Sequence, residues 1–223
     1  MAGCFARQCE LETLNSCKML RLWGMAFSDF RNIGAVQQQF QIRYLETGLQ
    51  VVSLEPSAVF RAELQFSLDN IDVFTSEAAR SETVIFPILR EAYKAHAGQF
   101  ALWIQKPIQA DAVLYGTPDY LFATKSKLGK TVLETPLVLI AEAKKNDFEQ
   151  GWGQCLAELL AAQKLNANPK KAVYGIVTDG KVWEFGQLQE DAFTKFVQSY
   201  TVDDLSELFG VLEYVLSQSA LVT

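Results

Sequence analysis

Residues 137–145 read LVLIAEAKK, a strand whose apolar run ends in a carboxylate and two ammonium groups. Alternate side chains of a strand face opposite ways. Val138, Ile140, Glu142 and Lys144 therefore share one face, and Leu139, Ala141, Ala143 and Lys145 share the other. Charges at the end of such a run are costly near a core unless they are paired or ligated. The strand end is thus either an ion pair or a site.

The elements around it follow from periodicity. Residues 38–54 read as a β-hairpin, in which Phe40, Ile42 and Tyr44 alternate with Gln39, Gln41 and Arg43. Thr47-Gly48 supplies the turn and 51–54 the return strand. Pro56-Ser57 opens a helix with Phe60, Leu64 and Leu68 on one face. A helix is predicted over 76–97, capped by Ser76, with an apolar stripe of Ile85, Ile88, Leu89, Ala92 and Tyr93. Pro87 lies inside it, removes the hydrogen bond to the Thr83 carbonyl, and predicts a kink or a later start. Strands are expected at 100–104, 119–123 and 137–144, then a helix at 147–165 and a strand at 172–177. Asp179-Gly180 turns into a strand at 182–185. Thr201 and Asp204 have capping-box spacing before a last helix over 202–217, whose apolar face is Leu205, Leu208, Phe209, Leu212, Val215 and Leu216. That helix is expected to pack within the chain; its alternative role is a dimer contact. From residue 76 the order is helix, three strands, helix, strand, strand, helix. This is an α/β chain with a mixed sheet, since a crossover helix allows a parallel pair.

A chain of 223 residues suits one α/β domain, and 49% hydrophobic residues exclude wholesale disorder. Residues 1–24 lack periodicity, and Met25 is an alternative start, so 1–24 read as a poorly ordered or start-site extension. Residues 25–75 read as a hairpin/helix elaboration and 76–223 as the core. No apolar run approaches the roughly 20 residues of a spanning helix, so no membrane role is expected. MAGCFARQCELETLNSCK has no apolar core of signal-peptide length, which makes the expected location cytoplasmic. A single histidine, His96, argues against histidine triads and multi-histidine metal sites. Cys4, Cys9, Cys17 and Cys155 have neither C-x-x-C nor zinc spacing and read as free thiols. Gly129-Lys130-Thr131 is not a phosphate loop, because position 124 is threonine where that motif needs glycine.

The acid-x-Lys triplet occurs at Glu142–Lys144 and Asp179–Lys181, about as often as composition alone gives, so the triplet itself selects nothing. Context does. Glu142 ends a hydrophobic strand, whereas Asp179-Gly180-Lys181 reads as a tight turn. Pro118-Asp119 brings another carboxylate to the start of a neighbouring strand. Gln154 sits one turn from Gln150 on the helix that begins just after the Glu142 strand.

Pro118-Asp119 followed by Glu142-Ala143-Lys144 resembles the PD-(D/E)XK nuclease superfamily, with its restriction-endonuclease-like fold. The α-β-β-β-α-β order over 76–178 is similar to that family's core. Glu82 in SETVIFPILREAY resembles the family's preceding glutamate, and Gln154 in GWGQCLAELLAAQ resembles its glutamine-bearing helix. The resemblance covers roughly 76–186. It implies a metal-dependent nuclease that hydrolyses DNA phosphodiester bonds, of restriction or repair type, working as a homodimer or in a larger complex. Asp119 and Glu142, with the Ala143 carbonyl, would hold Mg²⁺ or Mn²⁺, hard cations that prefer oxygen; Glu82 would add a ligand directly or through water. Lys144 would orient the attacking water or stabilise developing charge, its pKa depressed by a metal or by burial. Gln154 would orient a ligand, water or the nucleic-acid backbone. Trp152, like Trp103 and Trp183, reads first as a core or rim aromatic, with stacking on a base as its alternative role.

The same residues have plainer readings. Asp119 caps a strand after Pro118, Glu142 and Lys144 pair without metal, Glu82 is a first-turn acid favoured by the helix dipole, and Gln154 packs. The corresponding alternative function is a catalytically inactive nuclease-fold binding or assembly module. The net charge of −6, which repels a polyanion, motivates it, together with the absence of an appended recognition domain. RNA is the third substrate reading. Residues 120–175 are locally basic, with eight lysines against five acids. Among them Lys125, Lys127 and Lys130, in SKSKLGK, are candidates to track a phosphate backbone.

Overall fold

A computed structural model describes residues 26–144 and 147–220; the expected extension over 1–24, Met25, three of the cysteines and Lys145 lie outside the described residues. The helices are α1 (Ile33–Phe40), α2 (Ala58–Asn70), α3 (77–96), α4 (Phe148–Asn166) and α5 (Leu205–Ala220). The strands are β1 (Arg43–Thr47), β2 (Phe100–Ile104), β3 (Ile108–Gln109), β4 (Tyr115–Gly116), β5 (Tyr120–Thr124), β6 (Leu137–Ala143), β7 (Val173–Thr178), β8 (Val182–Gln189) and β9 (Ala192–Thr201). Seven of them form one mixed sheet in the order β1-β9-β8-β7-β6-β5-β2, and β3 pairs with β4 apart from it.

The two central strands, β6 and β7, run parallel because α4 carries the chain back between them. All seven residues of β6 are buried, as expected of a strand covered on both faces. One layer is built by α2, α3 and α5 on Phe122, Leu139, Ala141 and Ile176. The other is built by α1 and α4 on Leu121, Ile140, Val173 and Val177. The chain is therefore a three-layer α/β fold, as expected. α5 buries Leu208, Phe209, Leu212, Val215 and Leu216 within the chain. Its cap is Asp204, which accepts from the Glu207 amide at 3.0 Å. Thr201 is the last residue of β9, so the expected capping box does not form.

The N-terminal hairpin also does not form. Residues 33–40 make α1, capped by the Asn32 side chain and closed by Gln41 in the left-handed region at φ 58°. β1 pairs parallel with β9, some 150 residues away in sequence, rather than with a local return strand. Residues 51–54 instead cross α5 as an extended strap, and the Leu54 amide donates to the Ser206 carbonyl at 2.9 Å.

In α3 the strain expected at Pro87 is taken up upstream. Ser81–Ile85 widen into a π turn, after which Pro87 sits in the first turn of the segment Phe86–His96. The Ser81 carbonyl accepts from both the Phe86 amide and the Tyr120 hydroxyl, which anchors the widened turn to β5. At its start Arg80 is buried and donates to the carbonyls of Ser76, Phe74 and Asp179. It thus ties α3 to the Asp179-Gly180 turn, which forms as expected with Asp179 accepting from the amides of Lys181 and Val182.

Gly153 sets the approach of α4. A Cβ there would stand 2.5 Å from the Asn32 nitrogen and 2.6 Å from the Phe30 oxygen, both backbone atoms that cannot swing away. Gly153→Ala gains about 1 kcal/mol of helix propensity but incurs up to about 3 kcal/mol of overpacking. A net loss of about 2 kcal/mol is expected, read as a lower denaturant midpoint at unchanged m-value.

Candidate active site

Two elements converge on the C-terminal end of β6: the start of β5, which is antiparallel to it, and the first turns of α4. The register pairs Tyr120 with Ala141, so Asp119, one residue before β5, lies opposite Glu142 at the same sheet end. The backbone locks the two acids together. Asp119 Oδ2 accepts from the Ala143 amide at 2.9 Å, and the Asp119 amide donates to Glu142 Oε1 at 3.3 Å. Lys144 follows in line. Its Nζ lies 3.3 Å from Glu142 Oε2 and donates to Gln154 Oε1 at 3.0 Å. Gly151 makes room for this, since a Cβ there would touch Val177 at 2.6 Å and the Lys144 side chain at 3.0 Å.

Asp119, Glu142, Lys144 and Gln154 are thus brought together as expected. Glu82 is not brought into this cluster. It is exposed on α3 and borders a groove with Phe60, Glu63, Pro87 and Arg90. Glu77, one turn earlier in the helix, is the α3 acid whose charge reaches Asp119. The sequence reading missed a further residue, Glu158. It lies fully buried one turn after Gln154, and its Oε1 accepts from Gln154 Nε2 at 3.2 Å. The available signal was a lone acid at i+4 from Gln154 within the otherwise apolar CLAELLAA.

Burial dominates the electrostatics. It raises Glu142 to about 7, reinforced by the Asp119 charge and only partly offset by Lys144. Burial also raises Asp119, against the lowering effect of the Ala143 amide. Glu158 is pushed well above the usual carboxylate range by burial and then by the Glu142 charge. The charges of Glu142 and Glu158 act on one another, and Glu158 Oε2, like Glu142 Oε2, is buried without a hydrogen-bond partner. Burial pulls the Lys144 ammonium down, but the Glu142 and Asp119 charges outweigh it and the net shift is upward. The depressed lysine expected from the sequence is therefore not found in the metal-free protein.

Glu142 Oε2 is buried without an aligned donor, because Lys144 stands at ion-pair distance but off hydrogen-bond geometry. Among the described residues no three or more His, Cys, Asp or Glu side chains cluster as a ready-made metal cage. Two carboxylates remain, one with an orphaned oxygen, and this donor set fits a hard cation that keeps several waters of its own.

Trp152 takes its core reading, and the basic run lies away from the site. Trp152 is only 1% exposed; its Nε1 donates to Glu184 at 2.6 Å, and its ring packs on Phe193, so it offers no stacking face. Lys125, Lys127 and Lys130 follow the C-terminus of β5, where Ala123 pairs with Leu137. They lie at the opposite end of the sheet from Glu142, and Lys170 and Lys171, just before β7, are at that far end too. Cys155 is a buried free thiol. Among the described residues no helix is long and apolar enough to cross a membrane. No family model matches the chain, and no curated protein matches it.

Proposed function

We propose that the chain is a metal-dependent phosphodiesterase of PD-(D/E)XK type that cleaves DNA, with Asp119, Glu142 and Lys144 as its catalytic residues and Gln154 in support. The single observation that carries this reading is the buried, donorless Glu142 Oε2 beside Asp119 at the end of a core strand. Desolvating two acids side by side is costly, and a bound cation removes that cost. On this reading the fold is restriction-endonuclease-like: α3, β2, β5, β6, α4 and β7 follow the α-β-β-β-α-β order.

Asp119 and Glu142 would hold Mg²⁺ or Mn²⁺. The ion would polarise the scissile phosphate and stabilise the charge that develops on it. Lys144, fixed between Glu142 and Gln154, orients the attacking water and places a positive charge next to the reacting phosphate. The water oxygen bonds to phosphorus and releases one proton to solvent, the ester P–O bond breaks, and the leaving oxygen takes a proton from solvent. The choice of DNA follows from the resemblance.

The test uses end-labelled single-stranded, duplex and branched DNA, and RNA of the same sequence, each with Mg²⁺ or Mn²⁺. Cleavage of DNA by the parent, lost in Asp119→Asn, is the expected result. A parent that binds DNA but leaves every strand intact with either metal, like its Asp119→Asn variant, supports the inactive binding module instead.

A further inference from the structure

Gln154 has an amide with two unlike ends, and its usefulness depends on which end faces Lys144. Its Nε2 is committed to Glu158 Oε1 at 3.2 Å, so its oxygen is turned to accept from Lys144 Nζ at 3.0 Å. With the amide reversed, two donors would face one another. Gln154 and Glu142 are the two partners that hold the Lys144 ammonium in place, and buried Glu158 fixes the first of them. The Lys144 side chain retains 19% exposure, so an ammonium released from either partner has an open path to solvent.

We propose, resting on the nuclease reading above, that Glu158 is a positioning residue for DNA cleavage: it orients the Gln154 amide so that the Lys144 ammonium is held beside Glu142. Glu158 touches no substrate; it acts through Gln154. A glutamine at 158 keeps this role, since its oxygen accepts from Gln154 as Glu158 Oε1 does. A leucine keeps the volume and loses the role.

Two readouts test this on the full chain. In the metal-free protein, brief acetic anhydride labelling is followed by peptide mass spectrometry, with exposed Lys94 as internal reference. Glu158→Leu is expected to speed Lys144 acetylation about tenfold or more, as a lost hydrogen bond to a charged group predicts. Gln154→Leu, which breaks the relay from its other end, gives the same rise, and Glu158→Gln stays at the parent rate. In the cleavage assay Glu158→Leu lowers kcat about tenfold at unchanged KM, and Glu158→Gln restores it. Parental labelling and parental kcat in Glu158→Leu, at an unchanged melting temperature, would overturn the proposal. A parent that cleaves nothing removes the nuclease reading alone, and the labelling still decides whether Glu158 positions Lys144.

Discussion

Lys144→Met lowers kcat for DNA cleavage by about 10²–10³-fold, the usual cost of removing one preorganised group aimed at developing charge. KM stays close to that of the parent, because the ammonium acts at the reacting phosphate rather than along the bound strand. Methionine keeps the length and apolar stem of the side chain, which packs against the first turn of α4 at Gly151. The fold is therefore retained, and the loss reports chemistry. Lys144→Arg does not restore the rate. A planar fork cannot replace a point charge seated 3.0 Å from Gln154 Oε1 and 3.3 Å from Glu142 Oε2. Single-turnover kinetics with saturating metal separates the two constants. A Lys144→Met variant within threefold of the parent would remove Lys144 from the mechanism.

Glu142→Gln is expected to act with opposite signs on stability and function. Burial raises the folded-state pKa of Glu142 from an ordinary 4.5 to about 7. Across that window the folded chain holds a proton that the unfolded chain releases. The stability contributed is fully present below about pH 4.5 and is lost as the pH rises through about 7. At pH 8 the metal-free protein thus carries an ionised, desolvated carboxylate, at a cost of up to about 3 kcal/mol. A neutral glutamine accepts from the Asp119 amide as Glu142 Oε1 does and avoids that cost. The variant melts higher than the parent at pH 8 and close to it at pH 5, while cleavage is lost because one of the two cation-holding carboxylates is gone. Denaturant midpoints for both chains across pH 5–8 check the sign. A parent whose stability rises with pH over that range would contradict the raised Glu142.

The core of the site was legible because its signals are local. A hydrophobic strand that ends in Glu142 and Lys144, a Pro-Asp pair before the next strand over, and a helix opening soon after are each visible within ten residues. The features that escaped the sequence depend on distant partners. β1 has the alternation of a hairpin strand, but its partner is β9, and residues 51–54 lie as a strap across α5 rather than returning beside it. β9 was missed outright. Its hairpin with β8 turns at Glu190, in the left-handed region at φ 54° without the Asn-Gly or Asp-Gly signal. A register shift between Glu184 and Gly186 also breaks the alternation that marks β8. Glu82 and Glu77 look alike as acids near the start of one helix. Of the two, the charge of Glu77 is the one that acts on Asp119, which no local pattern in the sequence distinguishes. The basic run at 125–130 is conspicuous in sequence, yet the antiparallel pairing of β5 with β6 carries it to the far end of the sheet.

The most direct test of the account is a calorimetric titration of Mn²⁺ into the metal-free chain at pH 7.5, with Asp119→Asn and Glu142→Gln alongside. Saturable binding near one ion per chain is expected in the parent and none in either variant, with all three folded. Binding of equal strength in all three would place the metal elsewhere. A parent that binds no Mn²⁺ at millimolar concentration would make the Asp119–Glu142–Lys144 cluster a buried ion-pair network rather than a catalytic centre.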